Sequence, residues 1–146
     1  MPLSIRPHRR LVLAYLSGFW LLITLLVLSS GPAYAEWVRV GGDDEAEVTS
    51  YVDPDTIRRK GNLVKVWDLF DFKTRQTIGS ISFSSSKELA EYDCAEERVR
   101  QLTVTYFLRN MGAGKVVHAD REERKWSPIE PGSVGERLWE VVCRKQ

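Results

Sequence analysis

Few residue types in this chain could do chemistry. Cysteine occurs twice, at Cys94 and Cys143, 49 positions apart. Beyond residue 35 there is one histidine, His118, and the densest set of hydroxyls is Ser84-Ser85-Ser86. Two thiols can form a redox pair, part of a metal site, or a disulfide. A redox pair usually sits in C-x-x-C, and a thiolate metal centre needs more ligands than two sulfurs and one histidine supply. Hydrolytic chemistry at His118 would need an oriented nucleophile and acid, and no Gly-x-Ser-x-Gly phrase is present. The serine run reads as a loop. No catalytic residue, metal site or cofactor is assigned from these residues.

The carboxylates are more numerous but poorly placed for catalysis. Asp43, Asp44, Glu45 and Glu47 offer hard oxygens to Ca²⁺, yet they lack the spacing of a calcium loop and read as an exposed acidic connection. In Glu96/Glu97 and Glu122/Glu123, neighbouring side chains of an extended segment point opposite ways and do not converge on one substrate atom. Gly112-x-Gly114 has no strand-turn-helix context for a nucleotide and reads as a turn. Trp37, Trp67, Phe70, Tyr106 and Trp139 read as core aromatics between a sheet and a helix. Trp126, in a polar connection beside Pro128, is the candidate for an exposed contact.

Compartment decides what the cysteines do. Arg6, His8, Arg9 and Arg10 form a basic start, followed by an uncharged run from Leu11 to Ala35 with its apolar centre at residues 11–28. Ser29-Ser30-Gly31-Pro32 and the small-x-small pattern Ala33-Tyr34-Ala35 complete a secretory signal peptide over 1–35, with cleavage between Ala35 and Glu36. The 18-residue centre also has roughly the length needed to span a bilayer, so a retained anchor is the alternative. Either way the basic end stays cytoplasmic and residues 36–146 are exported. No cysteine follows the apolar run, so there is no acceptor thiol for a bacterial lipid anchor. A cut product is periplasmic or secreted, and only an uncleaved one touches the membrane. An even cysteine count in a small exported domain reads as one disulfide, Cys94 to Cys143.

The chain carries 21 basic and 20 acidic residues over 146 positions. Three of the bases, and none of the acids, fall in residues 1–35. That leaves 18 bases against 20 acids, a net of −2 on residues 36–146. A domain so close to neutral lacks the basic excess of a general nucleic-acid binder.

The elements that must position these residues follow from periodicity. Short strands are expected at Trp37–Val40 and Val48–Val52, and a helical turn at Asp53–Thr56 with Asp53 capping and Pro54 at its first position. Lys60-Gly61-Asn62 is a turn. Leu63–Phe72 has apolar residues on both faces, the mark of a covered central strand. Thr77–Phe83 alternates, as does Arg98–Leu108, with Leu102, Val104, Tyr106 and Leu108 on one face. A return strand is expected at Val116–Ala119. Ser133 and Glu136 form a capping box opening a helix whose apolar face is Val134, Leu138, Val141 and Val142. The fold class is α+β: an antiparallel sheet of five or six strands with a C-terminal helix on one face, pinned by the disulfide.

Several phrases in this frame resemble a family. Tyr51-Val52-Asp53-Pro54-Asp55-Thr56-Ile57, Glu91-Tyr92-Asp93-Cys94 followed by Glu97 and Arg98, the Asn110-to-Lys115 turn, and Trp126-Ser127-Pro128 leading through Pro131-Gly132-Ser133 to Cys143 are similar to the surface-adhesin protein E family of Gram-negative bacteria. The resemblance spans essentially all of residues 36–146. It implies a non-enzymatic exported domain that binds a protein, either a cell-envelope protein or, if displayed at the surface, a host matrix or serum protein. It also implies that ligand capture maps to about Lys87–Arg100, making Lys87, Arg98 and Arg100 candidate protein-binding residues beside Trp126. An envelope hydrolase with an unrecognised site is a third reading.

Overall fold

The computed structural model describes residues 36–42 and 46–144. The signal peptide, its cleavage point, the apolar stretch 11–28 and Asp43, Asp44 and Glu45 of the acidic loop lie outside the described residues. Among the described residues no helix is long and apolar enough to cross a membrane.

Six strands follow one another in space in the order they follow in the chain: β1 (Val38–Gly41), β2 (Val48–Lys60), β3 (Leu63–Ile78), β4 (Ile81–Asp93), β5 (Arg98–Phe107) and β6 (Val116–Asp120). All pairings are antiparallel. A two-residue strand, β7 (Ser127–Pro128), pairs with Arg98 and Val99 at the start of β5, leaving the far end of β5 to β6. Helix α1 (Val134–Cys143) closes one face.

Local chemistry explains most of this order. β3 and β4 are joined by Gly79 and Ser80, and Gly79 takes a φ of 59°, a left-handed conformation that glycine adopts freely. The expected single strand Thr77–Phe83 is therefore two strand ends around a hairpin. β4 then runs on through Ser84-Ser85-Ser86, which are buried in a strand and not in a loop. Ser85 Oγ donates to the Arg109 carbonyl at 2.6 Å and accepts from the Gly112 N–H at 2.9 Å, so burial leaves that hydroxyl satisfied.

Two other expectations change. Asp53–Thr56 does not form a helical turn. β2 continues past it, but the register breaks between Asp53 and Arg58, and the extra residues bulge. Asp53 Oδ1 accepts from the Asp55 N–H, and Thr56 Oγ1 donates to the Asp53 carbonyl while accepting from the Trp67 N–H. Asp53 thus folds its own backbone into an Asx turn. In β5 a bulge at Leu102 breaks the alternation, because Leu89 faces Thr103 while Ala90 faces Gln101. Val99 and Gln101 therefore share a face with Val104 and Tyr106.

Helix α1 opens as its cap residues dictate. Ser133 Oγ accepts from the Glu136 N–H at 3.1 Å, while the Glu136 carboxylate reaches one residue further back than expected, to the Gly132 N–H. Leu138 and Val142 are fully buried, whereas Val141 is exposed and Trp139 packs against the core in its place. Cys94 and Cys143 are joined, with Cα atoms 5.5 Å apart. Arg59 donates to the carbonyls of Val142 and Arg144, satisfying the helix end beside the disulfide. Val52, Val64, Val66, Ala90 and Tyr92 meet Leu138 and Val142 to form the core between sheet and helix.

Candidate functional site

On the sheet face away from α1, the β4–β5 register sets Asp93 opposite Arg98 and Glu91 opposite Arg100. Asp93 organises the turn between these strands. Its Oδ1 accepts from the N–H groups of Ala95 and Glu96, both at 3.2 Å, and its Oδ2 takes Arg98 Nε and Nη2 at 3.1 and 2.9 Å. Desolvation opposes the charge on Asp93, but the Arg98 bonds and the two N–H groups outweigh it and hold the carboxyl below its ordinary range. Arg100 Nε meets Glu91 Oε2 at 2.7 Å, Lys65 approaches the same carboxylate at 3.6 Å, and Glu123 takes the outer guanidinium nitrogen of Arg100.

Pairing of Ser127 with Val99 brings the preceding residue, Trp126, over both guanidinium groups. Its ring centre lies 4.8 Å from the Arg98 guanidinium carbon and 4.5 Å from that of Arg100. These are cation–π distances, and the arginines are held in place by carboxylates before any partner arrives. Three of the four residues expected to bind protein are thus one cluster. Lys87 is not part of it. Its ammonium sits 5.6 Å from the Trp37 ring centre and 5.2 Å from that of Phe107, about four residues of strand, roughly 13 Å, from Glu91.

The face under α1 is different. There a cavity of about 370 Å³ lies between β3–β5, the helix residues Val134 and Leu138, and the connection holding Arg124 and Lys125. Asp68 and Glu88, directly opposite each other on β3 and β4, both line it. Asp68 is 1% exposed; its Oδ2 accepts from the Tyr92 hydroxyl at 2.6 Å, and among the described residues no hydrogen-bond partner reaches Oδ1. Burial pushes the Asp68 carboxyl up to about 8, so it is protonated at neutral pH. Burial also raises Glu88, whose Oε2 accepts from Gln101 Nε2 at 2.8 Å, and drives the Tyr92 hydroxyl upward.

Farther along this face, exposed His118 stacks on Tyr106 with ring centres 6.0 Å apart. The hollow beside it contains Asp120 but no serine, and both cysteines are in the disulfide. Among the described residues no group of three or more His, Cys, Asp or Glu side chains is placed to hold a metal ion.

A family model described as surface-adhesin protein E matches residues 37–144. The chain belongs to that family. Comparison with curated protein sequences gave no match. Among solved structures, crystal form II of Haemophilus influenzae protein E superposes with a TM-score of 0.59 at 11% identity, covering 76% of this chain and 89% of that one. Another structure of the same protein gives 0.57 at 11% identity, over 76% and 86%. At that identity the likeness is one of fold: an antiparallel sheet with a C-terminal helix.

Within this member of the surface-adhesin protein E family, the cluster legible from sequence is the arginine–tryptophan one. Asp68, Glu88 and Tyr92 were missed. One signal did point to them: a carboxylate, Asp68, inside the apolar run Val66-Trp67-Asp68-Leu69-Phe70 of a strand already read as covered on both faces. A charge in such a place is either neutralised or partnered.

Proposed function

We propose that residues 36–146 form a non-enzymatic binding domain of the bacterial cell envelope, exported by the signal peptide and cut between Ala35 and Glu36. Its protein-contact surface is centred on Trp126 with Arg98 and Arg100. The observation that carries this reading is the stack itself. Tryptophan and arginine are the side chains most often found at the energetic centre of protein interfaces, and here they are ordered in advance by Asp93, Glu91 and Glu123. Preordering lowers the entropy lost when a partner docks. Membership in a family described as surface adhesins favours a second placement, on the outer surface against host matrix or serum proteins. Lys87, held apart over two aromatic rings, would then contribute at the margin of the surface.

The test is a capture experiment on the exported, oxidised protein with envelope extract and with serum, alongside Trp126→Ala and Arg98→Glu. A specific partner retained by the parent and lost by both variants is the expected result; equal retention by all three refutes the assigned surface. Protease added to intact cells separates the two placements, since a periplasmic protein is spared and a displayed one is cut. N-terminal sequencing that starts at Glu36 supports cleavage, whereas a start at Met1 or Pro2 means that the apolar segment is retained.

A further inference from the structure

The cavity under α1 shares Arg100 with the surface proposed above but opens on the other face, and it is built in a way that packing alone does not account for. Asp68 and Glu88 face each other across two central strands, a like-charge pairing that destabilises a sheet when both groups are ionised. Among the described residues neither carboxyl has an ion-pair partner. Asp68 is 1% exposed, and its Oδ1 has no hydrogen-bond partner among the described residues. A buried polar atom left in that state costs about 1–3 kcal/mol. Apolar and aromatic wall is supplied by Phe70, Ala90, Tyr92, Val99 and Leu138, and the polar rim holds Arg100, Gln101, Arg124 and Lys125.

We propose that this cavity binds an organic amine, an ammonium group carried on a small apolar body. The ammonium lies between Asp68 and Glu88, and the body packs against Phe70, Val99 and Leu138. An ammonium has three donors and supplies the positive charge that the two carboxyls lack. Aromatic rings at Phe70 and Tyr92 suit a cation as well as an apolar chain. Tyr92 fixes Asp68 Oδ2, while Glu88 accepts from Gln101 at Oε2 and, at 3.5 Å, from Ser86 Oγ at Oε1. Asp68 Oδ1 is therefore the carboxyl oxygen left to receive the guest, with Glu88 Oε1 exchanging its long bond for a shorter one.

Charged and titratable groups face Asp68 from several elements. β4 brings Glu88 and Tyr92, β5 brings Arg100, and the connection after β6 brings Arg124 and Lys125. The α1 residues at the cavity do not titrate. Arg100 is neutralised by Glu91 and Glu123, and Arg124 by Asp120. Lys125 is exposed, and its charge is screened by water and salt far more than a buried pair is. A neutral carboxyl that meets an ammonium gives up its proton to solvent, so binding near neutral pH releases about one proton per guest from Asp68.

The test uses the oxidised, exported protein with 2-phenylethylamine, 2-phenylethanol and phenylacetate, which share a body and differ in the head group. At pH 7 the amine is expected to bind at least about tenfold more tightly than the alcohol or the acid, the difference that a charge-assisted bond supplies. Calorimetry in buffers of different ionisation enthalpy should show net proton release. NMR shifts should fall on the methyl groups of Val99, Val134 and Leu138 and spare Ile78. Asp68→Asn, which keeps the shape and the bond from Tyr92, should bring amine and alcohol to within about threefold of each other. Equal or better binding of the alcohol or the acid, no binding of the amine at millimolar concentration, or amine binding without proton release each overturns the proposal. The proton count is made on the parent protein, so it decides the matter even where Asp68→Asn fails to fold.

Discussion

β4 carries carboxylates on both of its faces, and the two faces treat them in opposite ways. On the outer face Asp93 and Glu91 stand opposite Arg98 and Arg100, and the charges are matched strand to strand. On the face under α1 Glu88 stands opposite another acid, Asp68, and the charge is removed by protonation instead. In the outer pairs Asp93 and Glu91 are themselves buried, but each meets a guanidinium that reaches water, so the charge is kept and matched. Asp68 of the inner pair is buried with no cation paired to it among the described residues, so an unmatched charge there is expensive and protonation relieves it. The two faces therefore respond to different perturbations: the inner one to pH, the outer one to salt and to truncation of its side chains.

The sharpest way to break this contrast is to remove the proton. Asp68 is held at about 8 when folded against an ordinary 3.8 when unfolded. The folded state keeps a proton that the unfolded chain releases, so stability from this group is complete below about 4 and declines as pH rises to about 8. The decline is about 1.4 kcal/mol per pH unit within that window, lessened by any local relaxation. The raised Glu88 adds a decline of the same sign. Melting temperatures of the parent should fall steadily from pH 5 to 8 relative to those of Asp68→Asn. Parallel curves for the two proteins would mean that Asp68 is ionised in the fold.

The lid over the inner face is tested next. Closing a 49-residue separation stabilises a chain by up to about 4 kcal/mol through the unfolded state. Reductant should lower the melting temperature by several degrees and weaken protection of α1 against hydrogen exchange more than that of β3. An unchanged melting curve would show that Leu138 and Val142 hold the helix without help.

The outer face is more legible in the sequence than the inner one, for a physical reason. Trp126 stands out as an aromatic in a polar connection, and the family resemblance, which maps ligand capture to about Lys87–Arg100, adds Arg98 and Arg100. The Cys94–Cys143 bond followed from compartment, and the C-terminal helix from Ser133, Glu136 and the 3.6-residue period. The inner face depended on knowing that β4 is central, and that was concealed. Ser84-Ser85-Ser86 has the composition of a loop, and only the carbonyl of Arg109 and the N–H of Gly112, far along the chain, make burial of Ser85 tolerable. Once the serines are read as a loop, Lys87 through Asp93 looks like a solvated run of mixed charge. The strand's alternation, with Glu88, Ala90 and Tyr92 inward and Glu91 and Asp93 outward, then goes unnoticed. Bulges at Leu102 and after Asp53 were hidden likewise, because a register shift is set by the partner strand and leaves no mark on local periodicity.

A smaller effect is expected from Tyr92→Phe, which removes the one side-chain hydrogen bond that Asp68 receives among the described residues while keeping the ring in the core. Loss of that partner leaves a buried carboxyl with neither oxygen satisfied and should cost about 1–3 kcal/mol at pH 6. It should also raise the Asp68 pKa further, since the Tyr92 bond is what lowers it. A carboxyl signal that titrates at the parent's pH in this variant, followed by infrared or NMR, would separate the hydroxyl from the carboxyl's environment.

The smallest effect on stability is expected on the outer face. Arg98→Ala removes a guanidinium whose side chain is 41% exposed, and the buried Asp93 keeps the N–H groups of Ala95 and Glu96, so the fold should lose about 1 kcal/mol. Trp126→Ala likewise spares the sheet, because the pairing of Ser127 with Val99 is made by backbone. Raising salt should narrow the difference between the parent and Arg98→Ala while leaving the pH dependence of Asp68 in place, since screening acts on exposed charge and not on a buried proton. If Arg98→Ala instead destabilised as much as Tyr92→Phe, the outer cluster would be a structural clamp. Its place as the contact surface would then pass to the aromatic pair around Lys87.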